Sequence, residues 1–189
     1  IKSGGFYGQA YGDLKGREER KFHEFIRRLK LALRERGTDA AAKALHAIEC
    51  EERAYAAAKE AEKLFKFGAF LKAIVQAAYA VGYSPSPEIR RTPFELVRGA
   101  AQYLAKIFGM HGVPALTPIH RHNRAMRKTG KLFLQHFWLT WRKLEGLPVS
   151  DPWVFGPGGH DESHYVPPPE GKDAKFPVRN SVIEERSSV

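Results

Sequence analysis

Eight histidines and a single cysteine are the side chains of this 189-residue sequence best suited to metal or nucleophilic chemistry. His160 and His164 stand four apart, the spacing at which a helix turns two imidazoles toward one metal ion with a glutamate directly after the first as general base. Here Asp161 takes the place of that glutamate, Gly156-Pro157-Gly158-Gly159 precedes the pair and Pro167 follows, so no stable helix is expected to align it. His120 and His122 flank Arg121, with His111 nearby, but Arg121 does not suit the buried strand position that a paired-histidine site needs. Cys50 sits among Glu49, Glu51 and Glu52, acids that do nothing to stabilise the thiolate a nucleophile needs. One thiol also excludes an internal disulfide and a cysteine-rich zinc site. Walker loops, GxGxxG turns and GxSxG elbows are absent. The expectation is a chain that is not an enzyme, with no catalytic residue, no resident metal and no cofactor.

What remains is charge. Lys and Arg number 31 against 21 Asp and Glu, a formal net charge of +10 with a pI near 9.8. The excess is concentrated: residues 116–146 hold seven Lys/Arg against one acid. His120, Arg121, His122, Arg124, Arg127, Lys128 and Lys131 crowd about three turns at the start of the last predicted helix. Cations at a helix N-terminus oppose its dipole, so the cluster is better explained by an anionic counterpart: acidic protein, anionic lipid head groups or RNA. By contrast, Arg17, Arg20, Lys21, Arg27, Arg28 and Lys30 alternate with Glu18, Glu19 and Glu24, the pattern of a solvated face with local ion pairs.

The elements that carry these residues read as all-α, about five helices in an irregular antiparallel bundle with extended arms at both ends. Residues 1–12 contain four glycines and three aromatics and are expected to be an extended arm, with Phe6, Tyr7 and Tyr11 placed either to anchor it on a neighbour or to fold it back on its own domain. Residues 13–146 form the helical domain. Asp13 opens a first helix, with Phe22, Phe25, Ile26, Leu29 and Leu33 at helical spacing until Gly37. Thr38 or Asp39 starts an alanine-rich second helix whose small side chains permit close approach of another. The third runs from about Gly68 to Gly82, with Phe70, Leu71, Ile74, Val75, Ala78 and Val81 on one face. Thr92-Pro93-Phe94-Glu95 is a capping box opening the fourth, whose face is Phe94, Val97, Ala101, Leu104 and Phe108. Thr117-Pro118 opens the last, which is expected to carry Met126, Phe133, Phe137, Trp141 and Leu144 inward until Gly146.

Residues 147–189 hold seven of the twelve prolines and a net charge of −3, too polar to form a core alone. Trp153, Phe155, Tyr165 and Phe176 are spaced along this tail like anchors for a partner. The most apolar window, Phe65–Tyr83, carries Lys66 and Lys72, so no membrane span is expected.

One stretch resembles a known family. Gly68-Ala69-Phe70-Leu71-Lys72-Ala73-Ile74, followed by Ala80-Val81 and Pro85, is similar to the second half of a tetratricopeptide repeat, with Ala61 and Leu64 at the small and large apolar positions of the first repeat helix. Glu60 and Lys63 fall where the family has buried residues, Ala57 replaces a large aromatic, and no second copy lies thirty-four residues away. The resemblance, over residues 57–85, implies an antiparallel helical hairpin and not a repeat array.

The chain begins at Ile1, which with the basic pI suggests a mitochondrial protein after removal of a transit peptide. The functional expectation is an accessory subunit of a large multiprotein assembly, such as a respiratory-chain or ATP-synthase complex, whose arms staple neighbouring subunits. The alternative is an RNA-binding structural protein of a mitochondrial ribosome.

Overall fold

A computed structural model describes residues 5–86, 92–149 and 166–170. Five helices follow in order: α1 (Phe6–Arg36), α2 (Asp39–Glu60), α3 (Gly68–Ala80), α4 (Pro93–Ile107) and α5 (Pro118–Leu144), with no strand among the described residues. The chain divides into two compact units, one spanning Glu18–Arg121 and the other joining Ile1–Arg17 to His122–Val189.

The core of the Glu18–Arg121 unit follows from apolar spacing. Phe22, Phe25, Ile26, Leu29 and Leu33 of α1 meet Ile48 of α2, Phe70 and Ile74 of α3 and Leu104 of α4, all buried. Alanines line the helix contacts: Ala73, Ala77 and Ala78 of α3 and Ala100 and Ala101 of α4 are buried, and α3 packs against both α2 and α4. Of its many alanines, α2 contributes Ala41 and Ala44 to this core beside Ile48, and most of the others face solvent. Phe94, expected to point inward, is exposed, because it lies in the first turn of α4 before the buried stretch begins.

The capping chemistry is as the sequence dictates. Thr38 Oγ1 accepts the Ala41 amide at 3.2 Å, and Thr92 Oγ1 accepts that of Glu95 at 3.2 Å while donating to the Glu95 carboxylate at 2.9 Å. Gly37 and Gly109 take φ of 63° and 61° just past α1 and α4, a conformation that disfavours side chains with a Cβ. Ion pairs tie α1 to α2 (Lys30–Glu52, 2.9 Å; Arg34–Glu49, 3.1 Å). Glu24 takes hydrogen bonds from Arg27 and Arg28, which hold its carboxyl down at about 2, and Arg28 also donates to the Phe108 carbonyl at the end of α4.

A packed helix pair is present where residues 57–85 are expected to form a helical hairpin, with different bounds. α2 and α3 pack together, and Phe70, Ala73 and Ile74 are buried. Ala61 and Leu64 do not take the inner positions: α2 ends at Glu60, and Leu64 is 92% exposed in the linker.

The first helix starts earlier than the sequence suggests. Residues 6–12, expected to be extended, are the first turns of α1. Their glycines disfavour helix by about 1 kcal/mol each, and the ring contacts of Phe6, Tyr7 and Tyr11 described below offset that cost. Gly12 makes no close approach that requires a missing Cβ. Gly12→Ala is therefore expected to raise stability by roughly 0.5–1 kcal/mol, read as a shift of the urea midpoint at unchanged slope.

Candidate docking surface on helix α5

Within the unit that contains its residues from His122 onward, α5 presents three stripes. A helix advances about 100° per residue, so Ala125, Thr129, His136 and Leu139 share one face, and all four are buried. About a third of a turn away, Met126, Phe133, Phe137, Trp141 and Leu144 form a second stripe. A third carries Arg124, Arg127, Lys131 and Arg142. The 27 residues of α5 include no acid.

The inner stripe is held by the beginning of α1. Tyr7 and Phe6 pack on the His136 ring at centroid distances of 5.8 and 5.6 Å, and Tyr7 meets Phe133 edge-on at 5.3 Å. Tyr11 is hydrogen-bonded to His122 Nδ1 at 2.7 Å. Three of the expected arm anchors, Phe6, Tyr7 and Tyr11, thus fold back onto their own chain, as amphipathic rings do when an apolar wall with a polar atom lies within reach.

His136 is the buried polar centre of this unit. Its Nε2 lies 2.8 Å from the Val166 carbonyl and its Nδ1 3.0 Å from the Tyr7 hydroxyl. A carbonyl only accepts, so Nε2 carries the proton, and in the neutral ring that burial favours Nδ1 accepts from the Tyr7 hydroxyl. Burial pushes the imidazole pKa below its ordinary value, with the Val166 carbonyl opposing. Through this bond one point of the proline-rich tail is fixed to the chain's own helix. Trp153, Phe155, Tyr165 and Phe176, as well as His160 and His164, lie outside the described residues.

The second stripe is where the structure departs most from the inward packing expected of it. Met126, Phe133, Phe137, Trp141 and Leu144 are all exposed, Phe137 at 60% and Leu144 at 81%. The periodicity was a true apolar face, but a narrower run of small and polar residues, Ala125, Thr129 and His136, fills the inner position instead. Leu134 and Trp138 widen the exposed patch, and Leu147 and Val149 continue it past the helix. Phe133 and Phe137 stack at 6.3 Å, and Arg142 lies over the Trp138 ring at 5.0 Å while donating to the Pro148 carbonyl at 2.9 and 2.6 Å.

The basic cluster does not act as a block. His120, His122, Arg127, Lys128 and Lys131 are exposed and Arg124 is half-buried. Arg121, which belongs to the other unit, is only 3% exposed. Its guanidinium donates to the Ala115 and Leu116 carbonyls at 3.2 and 3.3 Å and covers the Phe22 ring at 4.4 Å. Its assignment to the anion-facing surface is thereby corrected: the loop before α5 leaves two carbonyls pointing inward, and Arg121 is the donor that satisfies them.

The described residues contain no grouping of three His, Cys, Asp or Glu side chains able to hold a metal ion. Cys50 is exposed, with His46 Nε2 at 3.5 Å and an Arg53 nitrogen at 3.4 Å from its sulfur. No protein-family model matches this chain, and neither curated proteins nor solved structures contain a significant match to it.

Proposed function

We propose that the chain is a non-catalytic accessory subunit of a larger multiprotein assembly, with the outer face of α5 as its docking surface. The observation that carries this reading is the continuous exposed stripe Met126, Phe133, Phe137, Trp141 and Leu144, widened by Leu134 and Trp138. Contiguous exposed aromatic and aliphatic surface of this kind marks an interaction site. The cations along its border give that surface a sign, so its counterpart is anionic. The high pI is in keeping with a mitochondrial home, and a respiratory-chain or ATP-synthase complex is the assembly we propose.

The test is the size of the native particle. Endogenous protein released from purified mitochondria in mild detergent is expected to sediment in a particle several times heavier than the 21.3 kDa chain. Resistance of that particle to ribonuclease supports the protein assembly. Collapse on ribonuclease treatment would favour the alternative, an RNA-binding structural protein of a mitochondrial ribosome that uses Arg127 and Lys131 against phosphate. A monodisperse free monomer would overturn both.

A further inference from the structure

We infer that the anionic counterpart of the α5 face is a bilayer surface, on which the helix lies in the plane of the interface. This rests on the reading of α5 as a docking surface, in an assembly that lies at a membrane, and names the adjoining bilayer as what the face docks on. Three features select lipid over the other anionic candidates. First, every charged side chain of α5 is cationic, Arg124, Arg127, Lys128, Lys131, Arg142 and Lys143, with one acid, Glu145, just past its end, whereas a helix that meets protein ordinarily mixes signs to fix register. Second, the apolar stripe mixes rings with aliphatic side chains. Phe133, Phe137 and Trp141 could stack on bases, but Met126, Leu134, Leu144, Leu147 and Val149 offer nothing to a nucleotide and need hydrocarbon. Third, Trp138 stands among the cations of the third stripe, beside Arg127 and Lys131 in the helical projection and with Arg142 over its ring. An indole that is apolar in body and polar at its N–H, beside a cation, is the pairing favoured at head-group depth.

No helix among the described residues is long and apolar enough to cross a membrane, so the contact is one of lying on the surface. The apolar side chains enter the outer acyl region while Arg127 and Lys131 reach anionic head groups alongside.

The sequence supplies its own reporter. The three tryptophans are Trp138, Trp141 and Trp153, so the full-length Trp153→Phe variant emits only from α5. Mixed with vesicles of phosphatidylcholine containing a third phosphatidylglycerol in low salt, this variant is expected to show a blue-shifted emission and to co-sediment. Pure phosphatidylcholine vesicles should produce neither effect. Adding Arg127→Glu and Lys131→Glu, both at exposed positions, should weaken binding at least tenfold. Adding Phe137→Ser should reduce the blue shift, with helicity by circular dichroism confirming that each variant folds. Absence of binding to the anionic vesicles by a folded protein would overturn the lipid assignment, as would binding insensitive to the charge reversals. If the native protein still sediments in a ribonuclease-resistant particle, the subunit reading stands and the face belongs to an acidic protein neighbour. If vesicles bind but the native protein is a free monomer, the lipid contact stands and the subunit reading falls.

Discussion

Arg121→Ala is expected to destabilise the protein by about 2–4 kcal/mol, because it strands two buried carbonyls and removes a cation from a ring face. The guanidinium donates to the Ala115 and Leu116 carbonyls and covers Phe22, and all of these belong to the Glu18–Arg121 unit. Burial drags its pKa below the ordinary arginine range, and only the nearby Tyr55 and Glu19 push the other way. The arrangement is therefore one in which desolvation opposes the charge while hydrogen bonds retain it. Arg121→Met separates the two contributions. It keeps the stem against Phe22 and removes the charge, and should cost less than alanine, since the carbonyls stay unpaired but no cavity opens. Urea denaturation of the three proteins at pH 7 reads both effects. An alanine variant within about 0.5 kcal/mol of the parent, the range of ordinary surface substitutions, would show that Arg121 is not structural.

His136→Leu is expected to cost about 1–3 kcal/mol at pH 7.5, because the Tyr7 hydroxyl and the Val166 carbonyl both lose their partner in a half-buried place. A second signature separates this from a simple packing change. The folded ring has a pKa below its ordinary 6.5. As pH falls through that ordinary value the unfolded chain takes up the proton first, so stability declines until the folded pKa is passed. Protonation also turns Nδ1 into a donor, which Tyr7 can then no longer donate to. The parent protein should thus lose stability between pH 7.5 and pH 5 by an amount that the leucine variant does not share. Equal slopes in the two proteins would exclude His136 as the source.

Much of the fold was legible because its signals are local. Thr38, Thr92 and the Thr117-Pro118 pair each mark a helix start within a residue, and glycines after α1, α4 and α5 mark the stops. Where local signals were missing or misleading, the reading failed for identifiable reasons. α2 ends without glycine or proline: Glu62 takes φ of 52°, and the Lys63 amide reaches back to the Ala58 carbonyl at 2.8 Å, a turn that sequence composition does not announce. The start of α1 carries glycines that argue against helix, and contacts with residues more than a hundred positions away override them. The surface on α5 was half visible. Its apolar period could be seen, but a period does not say which of two neighbouring stripes turns inward. Ala125 and Thr129 won because small side chains let the packed segments come close, leaving the large rings outside. For Arg121, charge suggested the surface, and the need of two carbonyls for a donor decided otherwise.

The division of the chain has a consequence for its synthesis. The Glu18–Arg121 unit is contiguous and can fold as soon as it has left the ribosome, whereas the other unit combines the first seventeen residues with those from His122 onward. At about 5–20 residues per second, Phe6, Tyr7 and Tyr11 are translated on the order of 5–20 s before the helix that shelters them. During that interval three aromatic rings ride on the nascent chain without their wall, a natural substrate for a chaperone.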